Sequence, residues 1–406
     1  WGKQARARQA AAWAMLAAGL LAGVAQAQTA TPGGNITVSG GVRTIDVSIS
    51  GSTPALTALM TAAFNVHGAF HVVSAGEGAE YSLRFDSDGG NGVTVTATPK
   101  VLGGTPAQDT ATGADWRDAA YRAGDYVVQK LTGLPGFFAG KLAFVSKRAG
   151  TQEIYTSDLL GQEVLKRTSD QSNSLNPHWS PDGTRILYTS YYRTGFMELT
   201  LLDVTDNSRR PFAYYQGMNT GGAFSPDGQH VAMILSSGSL QQLFVSDARG
   251  TRESMRRVTN TPSDKASPAW SPDGTMIALD CDPRGEPLLY TVPATGGTLR
   301  SISTYISNYC SEPTWNPRDP NLLVFMAASG DGFQLALYNF QTREAKWLTT
   351  LGSSSLEPCW TNDGRHVIYT SRTGKVDRLA ILDTQTGHDA YLTSHDASQA
   401  AFVYPQ

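Results

Sequence analysis

The C-terminal two thirds of the chain repeat one pattern: an aromatic residue, a short polar turn, then runs in which apolar and polar residues alternate. Three copies carry the same turn, in Trp179-Ser180-Pro181-Asp182-Gly183, Phe224-Ser225-Pro226-Asp227-Gly228 and Trp270-Ser271-Pro272-Asp273-Gly274. Looser copies follow at Trp315-Asn316-Pro317-Arg318-Asp319 and Trp360-Thr361-Asn362-Asp363-Gly364. The aromatic anchors stand 45, 46, 45 and 45 residues apart. Proline suits the second position of a type I turn and glycine the fourth, so each motif predicts a tight turn between two strands. The apolar runs after the turns, such as Ile186-Leu187-Tyr188-Thr189 and Val367-Ile368-Tyr369-Thr370, are second strands. Third strands are expected at 198–204, 242–247, 288–293, 334–339 and 378–383, each followed by a shorter, more polar fourth. Four strands in about 40–50 residues is the arithmetic of a β-propeller blade.

The ends of this region predict how the ring closes. Residues 141–168 supply second, third and fourth strands with no anchor strand ahead of them, while Ala400-Ala401-Phe402-Val403-Tyr404 places an aromatic at the anchor position. A C-terminal strand that completes the first blade gives six blades and leaves no open edge at the seam.

Residues 28–139 lack the period. Strands are expected at 36–38, 44–49, 70–73, 80–85 and 93–98. Thr53-Pro54 opens a helix to about Val66, with a capping hydroxyl and proline at the first position. Asp115 caps a second helix that stops at Thr132-Gly133, and residues 101–113 read as a polar loop. The fold class is therefore multidomain: a small N-terminal α+β domain (28–139) followed by an all-β six-bladed β-propeller (140–406) closed by the C-terminal strand. Ahead of both, residues 1–27 combine Lys3, Arg6 and Arg8 with an uncharged Ala/Leu-rich run and Ala25-Gln26-Ala27, the pattern of a cleaved export signal. The run is shorter than the roughly 20 residues a membrane-spanning helix needs, so no membrane insertion is expected.

Composition narrows the chemistry. The chain has 406 residues and a formal charge of −3, which becomes −6 without the three leader cations. No basic patch resembles a nucleic-acid footprint. Three cysteines (Cys281, Cys310, Cys359) without a C-x-x-C pair disfavour a disulfide scaffold, a zinc site and a dithiol redox site, and are expected to be buried. The loop Asp86-Ser87-Asp88-Gly89-Gly90 has glycine where a calcium loop needs its third ligand, so it reads as a hairpin turn. No G-x-S-x-G accompanies the propeller, which removes the hydrolase that such rings can precede. Of seven histidines only His67 and His71 fall close together, around a glycine turn, and His178 alone precedes an anchor. No metal, cofactor or catalytic residue is expected. Glu312 and Glu357 each stand three residues before an anchor, which puts both at one mouth of the channel. Acid/base chemistry, a shared cation and a repeated blade-start element are the readings open for that pair.

Asp115-Trp116-Arg117, the run Tyr126-Val127-Val128-Gln129-Lys130-Leu131-Thr132-Gly133, Gly140-Lys141-Leu142-Ala143-Phe144-Val145 and the blades that follow resemble the TolB family, the periplasmic component of the Tol-Pal envelope system. The resemblance implies a non-enzymatic, monomeric adaptor in the periplasm. It implies a Pal-like peptidoglycan-associated lipoprotein at the channel mouth, on Asn176, His178, Met218, Gly221, Ala266, Ser311, Glu312 and Glu357. It also implies a TolA-like inner-membrane protein on the N-terminal segment around Asn35, Ile36 and Val38. A propeller enzyme acting on cell-wall or sugar substrates, or a related ring binding another envelope protein, are the alternatives.

Overall fold

The computed structural model describes residues 43–405 except 75, 76, 102, 149, 238 and 351. The export signal, the strand expected at 36–38 and the residues Asn35, Ile36 and Val38 lie outside the described residues.

The N-terminal domain is one five-stranded sheet with two helices. Its elements run β1 (Ile45–Gly51), α1 (Pro54–Asn65), β2 (Phe70–Val72), β3 (Tyr81–Ser87), β4 (Gly92–Pro99), β5 (Ala107–Thr112) and α2 (Trp116–Thr132), with strand order β2-β1-β3-β4-β5. Strand β1 is parallel to both neighbours, and α1 makes the crossover to β2 that a parallel pair requires. Both helices start where expected. Thr53 Oγ1 accepts from the Leu56 amide at 3.2 Å, and Asp115 Oδ1 accepts from the amides of Arg117 and Asp118 at 2.8 and 3.0 Å. Gly133 ends α2 at φ 76°, a conformation that glycine adopts without a Cβ penalty. The Asp86–Asp88 segment is a hairpin turn in which Asp88 Oδ1 accepts from the amides of Gly90 and Gly92.

One element departs from the sequence reading: the expected loop 101–113 contains β5. Its sequence, Ala-Gln-Asp-Thr-Ala-Thr, has no apolar alternation because it is an exposed edge strand, formed by pairing with β4 and by the Thr94–Thr110 hydroxyl contact at 2.8 Å.

The second domain is six four-stranded antiparallel sheets. Blade one is split: its first strand, Ser398–Val403, pairs with Lys141–Ser146, followed by Glu153–Asp158 and Leu165–Lys166. Blades two to six begin with Ser174–Trp179, Asn219–Phe224, Asp264–Trp270, Cys310–Trp315 and Ser354–Trp360. These six first strands touch one another in sequence and close a ring around the axis. The motif turns are type I: the Gly183, Gly228, Gly274 and Gly364 amides donate three residues back. Within them the Ser180, Ser225, Ser271 and Thr361 hydroxyls donate to the motif aspartate at 2.5 to 2.6 Å. In the fifth blade, which lacks that serine, Asn316 Oδ1 takes over by accepting two amides at 2.9 Å. Apolar side chains of adjacent blades share cores, for example Leu187 and Leu199 with Val231 and Met233. The anchors add polar staples, since Trp270 Nε1 donates to the Ala223 carbonyl and Trp360 Nε1 to the Thr314 carbonyl, each in the preceding blade. Cys281 and Cys310 are buried and Cys359 is half-buried; all three are free thiols.

The N-terminal domain seats on the turn end of the ring. Asn362 donates to the Gly136 carbonyl, Tyr121 donates to Asp158, and Phe137 and Phe138 fill one core with α1, α2 and the split blade. Asp125 of α2 accepts the Phe138 and Ala139 amides at 2.7 and 3.0 Å and the Tyr404 hydroxyl at 2.9 Å. A single buried carboxylate thus ties the helix, the connector and the closing strand together.

Candidate functional site

Each first strand carries a bulge at the end away from the N-terminal domain, and at each bulge one residue has left-handed backbone: Asn176, Gly221, Ser267, Glu312, Glu357 and Gln399, with φ between 50° and 64°. Only one of the six is glycine. A left-handed conformation costs a non-glycine residue about 1–3 kcal/mol, and such outliers cluster where a fold holds a functional surface. In four blades the next residue is proline (Pro177, Pro268, Pro313, Pro358), which brings no amide to a position where the ladder is interrupted.

At four of the six bulges a side chain of the neighbouring blade meets the amide. Glu312 Oε2 accepts from the Glu357 amide at 2.9 Å, Glu357 Oε2 from the Gln399 amide at 2.8 Å, and Gln399 Oε1 from the Asn176 amide at 2.9 Å. Asp280 approaches the Glu312 amide at 3.4 Å. Side chain to backbone, blade to blade, half of the mouth is one relay. It closes on Thr370, whose hydroxyl donates to Glu357 at 2.7 Å.

The relay concentrates acid in a confined space. Burial first, and then the neighbouring Glu357 charge, push Glu312 up to about 8. Glu357 is raised by burial, and Asp280 is raised by burial to about 6. Arg372, held by Asp377 at 2.6 and 2.8 Å, is the cation that partly offsets the pair. A carboxyl with a raised folded pKa favours the protonated native state, so its contribution is full below the ordinary carboxylate range and is lost as pH rises toward about 8. Glu312→Gln keeps an acceptor for the Glu357 amide. Urea midpoints taken between about pH 5 and about pH 9 should therefore fall less in this variant than in the wild type; parallel pH profiles would contradict the assignment.

The expected mouth residues divide. Asn176, Gly221, Glu312 and Glu357 occupy the ring. Ala266 and Ser311 stand one residue before it, and Ser311 is buried. Met218 lies in the loop before its strand, its amide held by Ser236 Oγ at 3.0 Å. His178 is past the bulge, opposite Leu187, and desolvation by the surrounding protein lowers its pKa to about 4. Ser267 and Gln399 were missed. Counting three residues back from Trp270 and Phe402, as for Glu312 and Glu357, finds both.

A second cluster had no sequence signal. His67, after α1, meets His366 of the sixth blade across the domain boundary, with ring centroids 4.6 Å apart. His71, its partner in the sequence reading, is elsewhere, on Asp46 at 3.0 Å. His67, Asp363 and His366 place possible ligand atoms within 4.8 Å of one another. Both His366 nitrogens are committed, Nδ1 to Asp363 at 2.6 Å and Nε2 to the His67 carbonyl at 2.5 Å. His388 Nε2 donates to the Asn65 carbonyl at 2.7 Å, so two imidazoles receive the C-terminal end of α1. The His67 ring lies among Phe70, Phe137 and Phe138, and burial lowers its pKa. His366 and His388 latch the two domains by hydrogen bonds, whereas both ring nitrogens of the buried His67 have no hydrogen-bond partner.

Together these features define a closed six-bladed propeller with an α+β domain on one face and a strained, acid-lined mouth at the opposite end. The profile described as the TolB beta propeller domain matches residues 128–402, and the chain belongs to that family. Among curated relatives it is 37% identical over 158 residues to the Tol-Pal system protein TolB of Anaeromyxobacter sp. (strain K), covering 39% of this chain and 36% of that one. It is 31% identical over 267 residues to the protein of the same name from Francisella tularensis subsp. tularensis, covering 63% and 60%. The matched stretches therefore span from about a third to three fifths of these relatives' length. In fold it is similar to TolB from Acinetobacter baumannii, with a TM-score of 0.77 at 20% identity over 89% of this chain and 97% of that one.

Proposed function

We propose that this protein is a periplasmic adaptor of the Tol-Pal system, without catalytic activity. In this reading the mouth binds a Pal-like peptidoglycan-associated lipoprotein, and the segment around Asn35, Ile36 and Val38 binds a TolA-like inner-membrane protein. The link supports outer-membrane integrity and envelope constriction during cell division. The observation that carries the proposal is the ring of six left-handed residues at the end of the channel left open by the N-terminal domain. A surface already fixed before binding loses little ordering entropy on meeting a partner. Glu312 and Glu357 are each committed to a neighbouring blade's amide, which suits a shaped platform better than proton transfer.

The test is retention of a peptidoglycan-associated lipoprotein from detergent-solubilised envelope on the immobilised protein, beside Glu312→Ala/Glu357→Ala. Circular dichroism would verify that the variant is folded. We expect the wild type to retain the lipoprotein and the folded variant to lose at least about 90% of it, since severing two central contacts costs more than the roughly 1.4 kcal/mol that a tenfold change represents. Equal retention by both would remove the mouth as the site.

A further inference from the structure

Lys265 is 1% exposed, and no described carboxylate lies within ion-pairing distance of its ammonium. A fully buried lysine is rare unless it is paired. Its Nζ donates instead to the Ser263 carbonyl and, at 3.0 Å, to Ser263 Oγ. The same hydroxyl lies 3.7 Å from the Cys281 sulfur. Lys265 and Cys281 are direct cross-strand partners, so both side chains leave the same face of the fourth blade, and Cys281 is also 1% exposed. An amine, a hydroxyl and a thiol thus share one enclosed space. Neither other cysteine has an amine beside it: Cys310 meets Thr304 and the Ser307 carbonyl, and Cys359 meets the Trp360 carbonyl.

We propose that Lys265 and Cys281 are a modification site, joined by a covalent sulfur–nitrogen bond when the protein meets a peroxide. In the first step the thiol sulfur attacks the peroxide, the O–O bond breaks, and sulfur loses two electrons to give a sulfenic acid and one water. In the second the lysine nitrogen, as free amine, attacks that sulfur. The S–OH bond breaks, and the hydroxyl leaves with an N–H proton as a second water. The net change is the loss of two hydrogens from the pair and the reduction of one peroxide. Burial supports the second step by lowering the Lys265 pKa, which favours free amine. Burial also raises the Cys281 pKa, opposed by the Ser263 hydroxyl and by Lys265, so the first step is slow and answers to sustained oxidant.

The bond would join the first two strands of this blade beside the mouth. Ser267 of the ring follows Lys265 by two residues, and Asp280, which approaches the Glu312 amide, adjoins Cys281. Oxidation would stiffen that sector, and the proposal does not depend on which partner the mouth binds.

Trypsin reads the bond directly. In the reduced chain it cuts after Lys265 and releases 258–265 and 266–284. After folded full-length protein is treated with hydrogen peroxide and then denatured, the linked lysine should resist cleavage. The expected product is 258–284, two hydrogens lighter than the unlinked peptide; dithiothreitol should restore the free thiol and amine, after which fresh trypsin cuts it into the two shorter ones. Lys265→Arg, whose guanidinium is not a comparable nucleophile, and Cys281→Ser should both abolish the product. The wild-type result alone decides should either variant fail to fold. Unimpaired cleavage after Lys265 with Cys281 accumulating as sulfinic acid would overturn the proposal, and a linked peptide heavier by one oxygen would overturn the direct sulfur–nitrogen bond.

Discussion

Asp125→Ala should lower the stability of the full chain by about 3 kcal/mol, the scale of removing one partner from a buried, charge-assisted hydrogen-bond group. The carboxylate is nearly inaccessible, and burial raises its pKa to about 7 despite three hydrogen bonds. Alanine leaves the Phe138 and Ala139 amides and the Tyr404 hydroxyl without their acceptor. Because these groups belong to the interdomain connector and the end of the closing strand, the loss should also uncouple the domains. Urea unfolding followed by far-ultraviolet dichroism and by tryptophan emission would then give separated transitions where the wild type gives one. Tyr404→Phe, which removes one of three donors, should cost about 1 kcal/mol. A variant within about 0.5 kcal/mol of wild type would show that the connector does not depend on this carboxylate.

The second large effect is expected at His366. Its Nε2 faces a carbonyl, which only accepts, and its Nδ1 faces the Asp363 carboxylate, so the geometry calls for a donor on both nitrogens: the imidazolium. Burial opposes that charge, yet Asp363 and Asp383 outweigh it and raise the His366 pKa, with Arg365 paired to Asp383 beside them. A raised histidine contributes its stabilisation fully below about pH 6.5, and the contribution is lost as pH climbs through the folded pKa. His366→Ala should therefore cost about 3 kcal/mol near pH 6 and progressively less at higher pH. His67 has the opposite sign: lowered in the fold, it removes stability as pH falls below about 6.5. Since His366 is itself one cause of that lowering, the pH series should be repeated in a His67→Phe background. A wild-type minus variant difference that is flat with pH would mean that His366 is neutral.

The propeller was legible because its information is local and periodic. A proline, a glycine and an aromatic at fixed offsets state the turn, the bulge is always three residues before the anchor, and the strand that closes the ring is visible as an anchor without a turn after it. The N-terminal helices were legible for the same reason, through Thr53 and Asp115 at their caps. What escaped depends on pairing between distant segments. Strand β5 has no apolar face to announce it and exists because β4 offers an edge. Asp280 reaches Glu312 from the second strand of another blade, and His67 reaches His366 across 299 positions. In the sequence, His366 is the first residue of a blade strand, a position that His230 also holds, with its backbone bonded to Ser225 of its own blade. The chemistry of such a position is decided by what docks on that blade.

The split blade also fixes the order in which the molecule can assemble. Ser146 and Asp396, joined by a hydrogen bond, are 250 residues apart, whereas the other five blades form from contiguous sequence. The entropy of closing so long a loop grows only logarithmically, by about 0.6 kcal/mol per doubling of length, so the seam costs little at equilibrium. Kinetically it is a late event, because distant contacts form slowly. Until the strand Ser398–Val403 arrives, Lys141–Ser146 presents an unpaired edge whose last five residues are buried in the finished ring, able to accept the corresponding strand of a second molecule. Refolding at high protein concentration should therefore be a competition between ring closure and strand exchange, decided by where the strand Ser398–Val403 docks.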